Sequence, residues 1–196
     1  MKSYAPENHN DLFVLETLGK KRGGYFVEAG ALDGVQASNT LLLEEDYGWT
    51  GICVEPDAQL YAELLENRTC VCENACLYDG SDVMFVAGVR GWGGIVDHLY
   101  ETTRSNWERG ERVTMPTVTL AAILDKHNAP PVIDYLSLDT EGSEAMILAG
   151  FPFDRYRFRV VTIENASCND LLTANGYHMV ENHFNRGAPY EQYFLG

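Results

Sequence analysis

The chain has no apolar run approaching the ~20 residues that a membrane-spanning helix needs. Its opening segment, Met1-Lys2-Ser3-Tyr4-Ala5-Pro6-Glu7-Asn8, has no apolar signal core. These two absences predict a soluble, cytoplasmic protein. Basic residues are scarce: 14 Lys and Arg stand against 29 Asp and Glu, a formal net charge of −15. A field of that sign repels phosphate backbones and argues against a nucleic-acid partner. Cysteines are few and odd in number, at five, and without a signal peptide they predict reduced thiols. Cys70-Val71-Cys72 with Cys76 has no fourth ligand close by in sequence, so buried free thiols are expected in place of a zinc site. No repeat, low-complexity linker or domain boundary interrupts the 196 residues. One domain over residues 1–196 is expected, with 80–118 as a variable, substrate-side segment.

What is present is an alternation of short apolar runs and amphipathic stretches. Asp11 to Leu18 predicts a helix with Leu12, Leu15 and Leu18 on one face. Gly24 to Ala29 predicts the first strand, and Ser38 to Tyr47 a helix with Ser38 as its cap. Gly51 to Glu55 predicts the second strand, ended by Pro56. Asp57 caps a helix whose stripe is Leu60, Tyr61, Leu64 and Leu65. Cys70 to Leu77 predicts a third strand with its exit turn. Val83 to Val86 predicts a strand, and Tyr100 to Glu111 a polar surface segment. Further strands are expected at Val132–Leu138, Arg159–Ile163, Tyr177–Asn182 and Glu191–Leu195. Helices are expected at Thr119–Lys126 and Ser143–Ala149, and a short one capped by Ser167. Strand and helix recur every ~25–30 residues, which predicts a doubly wound, Rossmann-like, mostly parallel α/β sheet. Ligands of such sheets lie at the carboxyl ends of the strands.

Three carboxylates mark three of those ends. Glu28 opens Glu28-Ala29-Gly30-Ala31-Leu32-Asp33-Gly34, where the glycines let a ligand approach the backbone and Asp33 orients the turn. Glu55 ends the second strand, where an acid suits two ribose hydroxyls. Asp139 ends the strand before Thr140-Glu141-Gly142-Ser143-Glu144. Together they suit a nucleoside cofactor. A nicotinamide dinucleotide needs Gly-x-Gly-x-x-Gly, and here Leu32-Asp33 stands where its middle glycine is needed. A carboxylate there repels pyrophosphate but suits a cationic methionine moiety.

Phe26 to Gly34 with Ser38-Asn39-Thr40, then Gly48 to Pro56, then Ile133 to Glu144 resemble the motifs of the FkbM-type methyltransferases. The resemblance runs from about Asp11 to Asn165 and weakens over residues 80–115; Ala29 departs from the branched residue expected there. It implies a class I methyltransferase fold with seven strands, the last antiparallel, and S-adenosylmethionine as cofactor. By position it implies Glu28 and Gly30 on the methionine and ribose side, and Glu55 and Pro56 at the ribose. It places Asp57, Asn74 and Ala75 beside the adenine, and Ser38 and Asn39 near the methionine carboxylate. Members mostly methylate oxygen, often on sugars or glycosylated natural products.

Moving a methyl to a hydroxyl requires alignment and removal of a proton. Asp139, Glu164 and Asn165 end adjacent strands and form an all-oxygen set suited to Mg²⁺. Without a metal, Glu141 is a candidate base, and His98 is the first choice among the histidines. Gly91-Trp92-Gly93-Gly94 with Tyr100 and Trp107 is a candidate acceptor site for a sugar, glycan or glycosylated small molecule. Two alternatives stand beside this reading: a non-sugar acceptor, or a non-catalytic nucleoside-binding module.

Overall fold

The structure is a computed structural model that describes residues 3–5, 8–185 and 190–196. Met1, Lys2, Pro6 and Glu7 of the polar opening segment lie outside the described residues. The elements run α1 (Asn10–Thr17), β1 (Tyr25–Ala29), α2 (Leu41–Tyr47), β2 (Thr50–Val54), α3 (Ala58–Asn67), β3 (Val71–Glu73), β4 (Cys76–Leu77) and β5 (Asp82–Ala87). They continue with α4 (Arg104–Trp107), β6 (Glu111–Val118), α5 (Leu120–Lys126), β7 (Val132–Leu138), α6 (Glu144–Ala149), β8 (Arg157–Glu164), α7 (Asn169–Ala174), β9 (His178–Val180) and β10 (Glu191–Leu195).

Seven strands form one sheet in the order β3-β2-β1-β7-β8-β10-β9. Pairing is parallel from β3 to β8, and β10 runs antiparallel to both of its neighbours. The order turns back between β1 and β7, which opens a crevice at their carboxyl ends.

Strand alternation explains why both faces are covered. Val27 of β1 points into a core with Leu120 and Leu124 of α5, Leu148 of α6 and Leu172 of α7. Its neighbour Phe26 points the other way, into a core with Leu15 of α1, Leu43 of α2 and Leu64 of α3. The doubly wound expectation holds, including the antiparallel last strand.

Three local expectations need correction. Residues 70–77 are not one strand. β3 stays in the main sheet, and after Asn74-Ala75 the chain leaves it so that β4 joins a second sheet, β4-β6-β5. Asn74 fixes that exit, because its Nδ2 donates to the carbonyls of Glu55 and Pro56 at 2.9 and 3.1 Å. The segment 100–111 is not wholly surface. Trp107 is buried against Val86 and Leu99, and its Nε1 donates to the Tyr100 carbonyl at 3.0 Å. Ser167 is not the cap after β8. Asn165 Oδ1 accepts from the Ser167 amide at 2.8 Å, and α7 begins only at Asn169.

Candidate active site

A cleft opens at the carboxyl ends of β1, β2 and β7. Its floor is the turn at Ala29, Gly30 and Leu32, and one wall is Glu55, Pro56 and Asp57 at the end of β2. Leu60, Leu77, Phe85 and Ile95 make an apolar side. Asp139, Thr140 and Glu141, just beyond β7, close the far end. The strand-end acids Glu55 and Asp139 therefore meet in one cleft.

Glu55 is built in place by backbone amides. Leu32 N donates to its Oε2 at 2.9 Å and Asp57 N to its Oε1 at 2.8 Å. Burial pushes its carboxyl up to about 7, with Asp57 adding to the rise and the two amides opposing it. Asp57 caps α3 as expected, with Oδ1 accepting from Gln59 N and Leu60 N at 2.9 and 3.3 Å. Its other oxygen accepts from Gly88 N at 2.7 Å and so draws the 88–94 loop over the cleft. Arg90, in that loop, pairs with Asp33 at 2.7 Å and Glu63 at 3.2 Å. Nothing in the sequence marked Arg90, because a lone exposed arginine has no pattern of its own.

The first carboxylate has a different place. Glu28 is buried beneath the cleft and does not line it. It accepts from Ser38 Oγ at 3.1 Å, Asn39 N at 2.6 Å, Thr40 Oγ1 at 2.5 Å and Arg68 Nη1 at 3.3 Å. Ser38 and Asn39 are used in the same way, Asn39 Nδ2 donating to Ser137 Oγ at 2.9 Å. Glu28, Ser38 and Asn39 thus build the turn into α2, and the structure does not bring their side chains to the cleft. Asp33 holds the amides of Val35 and Gln36 at 2.9 and 2.7 Å. It lies beside the lid arginine and outside the cleft lining. Ala75 does line the cleft, whereas Asn74 supports it from behind.

The glycines of the first turn answer to protein, not only to ligand. A Cβ on Gly30 would lie 1.9 Å from the Asp139 carbonyl oxygen, and its φ is +80°. A Cβ on Gly34 would meet Leu64 and Arg68 side chains at 2.7 and 2.6 Å. A larger residue at Gly30 therefore disturbs the fold itself. Gly30→Ala should cost ~3 kcal/mol or more, because the β1–β7 contact must open and the backbone is left-handed. Thermal unfolding of the variant measures this, and an unchanged melting temperature would refute it.

The far end of the cleft is acidic. Carboxylate oxygens of Asp139, Glu141 and Glu164 lie within 4.8 Å of one another. Burial first, and then neighbouring carboxylates with Asp139 foremost, raise Glu141 to about 8 and Glu164 to about 9. Among the described residues, the buried Glu164 Oε2 has no hydrogen-bond partner. Asn165, the third ligand expected from the sequence, has its side chain engaged in other contacts. Its amide oxygen holds Ser167 N, and its Nδ2 donates to Tyr100 OH and, at 3.0 Å, to Glu144 Oε2. Glu141, at a left-handed φ of 57° in the following turn, takes the third corner instead. Glu144 stays behind the turn and accepts from Thr140 N at 2.8 Å and Gly142 N at 3.1 Å. His98 is not in the cleft lining; its Nε2 contacts Tyr78 OH at 2.7 Å. Trp92 is 42% exposed on the lid, so it is not a core residue, and Trp107 is buried.

The strand order, with its antiparallel penultimate position and a cleft at the parallel strands' carboxyl ends, defines a class I methyltransferase fold. Residues 28–179 match the family described as the Methyltransferase FkbM domain, and the chain belongs to that family. Comparison with curated proteins gave no match. Among solved structures the chain is similar to the METTL16 MTase domain, with TM-score 0.49, 13% identity and coverage of 95% of this chain and 65% of that one. It is similar to precorrin-6y C5,15-methyltransferase from Geobacter metallireducens GS-15, with TM-score 0.44, 12% identity and coverage of 94% and 85%. It is also similar to a SAM-dependent methyltransferase from Aquifex aeolicus, with TM-score 0.44, 10% identity and coverage of 99% and 92%. The chain thus spans 65% of the METTL16 domain's length. Among the described residues no helix is long and apolar enough to cross a membrane.

Proposed function

We propose that the chain is an S-adenosylmethionine-dependent O-methyltransferase acting on a hydroxyl of a sugar, glycan or glycosylated small molecule. The observation that carries this reading is that Glu55, Asp139 and a set of apolar side chains line one cleft. Glu55, which lines the cleft, suits the two ribose hydroxyls. Leu60, Leu77, Phe85 and Ile95 suit the adenine. Bound there, S-adenosylmethionine would supply an electrophilic methyl on a sulfonium. The chain's own task is to orient the acceptor and take its proton. Glu141 is the base we favour, because it lines the cleft beside Asp139. Trp92 on the lid offers an aromatic face to a sugar ring. The carboxylates at this end favour a neutral or cationic acceptor over a phosphate-bearing one.

Calorimetric titration with S-adenosylmethionine and with NAD tests the cofactor; heat from NAD alone would reject the reading. Acidity gives a second test. A ribose hydroxyl donates to the charged form of Glu55, so affinity should be lost as pH falls through about 7. Adenosine does not itself titrate in this range, and it should bind about tenfold more weakly at about pH 6 than at about pH 8. Glu55→Gln should remove that slope. A slope that persists in the variant would assign the titration to another group.

Glu141→Gln should lower turnover by ~10²-fold or more while leaving cofactor affinity within a few-fold, since general-base catalysis contributes on that order. A second reading has its own observation: Asp139, Glu141 and Glu164 converge within 4.8 Å and, among the described residues, Glu164 keeps an unpartnered buried oxygen, which suits a hard cation such as Mg²⁺. Chelator decides between them. Turnover unaffected by chelator supports the side-chain base, and loss restored by Mg²⁺ supports the cation.

A further inference from the structure

Away from the cleft, β2 and the turn after α3 bring two thiols together. Cys53 is fully buried in β2, one strand in from the edge. Cys70 is half-buried in the turn between α3 and β3. Their sulfurs are 3.6 Å apart. Cys70 is held in place at its backbone, where its amide donates to Glu44 Oε1 at 2.9 Å. The third cysteine of the cluster, Cys72, pairs with Cys53 in the β2–β3 register and its Sγ donates to the Cys70 carbonyl at 3.6 Å. Cys53 Sγ also donates to Glu28 Oε2 at 3.6 Å.

We propose that Cys70 and Cys53 are a peroxide-oxidisable pair that closes to a disulfide between β2 and the α3–β3 turn, independently of the methyl-transfer reading. The two sulfurs differ in thiolate character and in access. Contact with the Cys53 thiol, then with Cys72, pulls the Cys70 thiol down to about 5, with the Arg68 guanidinium assisting and burial opposing. Burial holds Cys53 well above the ordinary thiol range. Cys70 is also the more accessible of the two. In the first step the Cys70 thiolate attacks hydrogen peroxide. A sulfur–oxygen bond forms, the oxygen–oxygen bond breaks, and hydroxide leaves to be protonated to water. In the second step Cys53 sulfur attacks the Cys70 sulfenic sulfur. The sulfur–sulfur bond forms, the sulfur–oxygen bond breaks, and the Cys53 proton leaves with hydroxide as water. Two thiols are oxidised and one peroxide is reduced to two waters. The sulfurs must close from 3.6 Å to about 2.05 Å, and rotation of the half-buried Cys70 side chain is the available motion.

The sequence makes the test direct. Trypsin places Cys53 in the peptide 23–68, and Cys70, Cys72 and Cys76 in the peptide 69–90. The full-length folded chain is treated with hydrogen peroxide, alkylated, digested and mapped by mass spectrometry. The expected product is one cross-linked pair, 23–68 joined to 69–90, two hydrogens lighter than the free peptides and released by dithiothreitol. It should persist in Cys72→Ala and vanish in Cys70→Ala, a half-buried position that spares the core. A cross-link that survives Cys70→Ala overturns the assignment. So does native protein that consumes peroxide and gives only sulfinic or sulfonic acids with no linked pair.

Discussion

Arg68→Met should lower the melting temperature by roughly 10 °C, the largest effect of any single side-chain loss described above. The Arg68 side chain is fully enclosed and uses its whole guanidinium. Nε donates to Glu44 at 2.6 Å, Nη2 to Thr40 Oγ1 at 2.8 Å, and Nη1 to Gly34 carbonyl and Ser38 Oγ at 3.2 and 3.1 Å. Nη1 also reaches Glu28 at 3.3 Å. Methionine matches the stem but leaves Glu28 and Glu44 facing each other in a buried site without a counter-charge. Breaking a buried pair from one side costs about 3–5 kcal/mol, much of it the stranded partner. Arg68→Lys keeps a charge but not the planar fork, so it should fall between wild type and Arg68→Met. Circular-dichroism melts of the three proteins are the measurement. A drop below about 3 °C for Arg68→Met would show that the network contributes little. The expected loss reaches the cleft as well, because Arg68 ties α3 to the turn that follows Gly30.

Glu55→Ala should weaken S-adenosylmethionine binding by ~10²-fold or more, if two ribose hydroxyls donate to this carboxylate. Hydrogen bonds to a charged group are worth ~1.5–3 kcal/mol each, and alanine removes both. The same substitution releases Leu32 N and Asp57 N, which now converge on the carboxylate at 2.9 and 2.8 Å. Part of the loss is then disorder of the wall, and Glu55→Gln separates the two contributions. Glutamine keeps the size and one acceptor for a backbone amide, so the turn should hold better while the charge is gone. Titration calorimetry on both variants reads the result. Affinity within threefold of wild type in Glu55→Ala would remove Glu55 from the cofactor site.

The main sheet was legible from local sequence signals. Buried runs such as Val132–Leu138 and caps such as Asp57 and Thr119 are local signals, and each became the element it predicted. The sequence also marked Glu55 and Asp139 as strand-end acids, because strand ends are one-dimensional features and their ligand edge follows from the topology rule. Only the tertiary structure decided what those ends do. Glu28 sits at a strand end like Glu55, yet Arg68, forty residues later, turns it inward and makes it a structural hub. Asn165 follows Glu164 directly, yet its backbone is left-handed at φ 74° and its side chain is engaged by the Ser167 amide. Gly30 looked like room for a ligand and is room for the Asp139 carbonyl. The β6 strand escaped notice because its alternation is short, Val113 and Met115 set between Arg112, Thr114 and Pro116, and a proline interrupts it. Periodicity reports which face of an element is buried; it carries no record of which distant residue arrives to fill a given lone pair. That pairing is set when the chain closes, and it separates a carboxylate that holds the fold from one that faces the cleft.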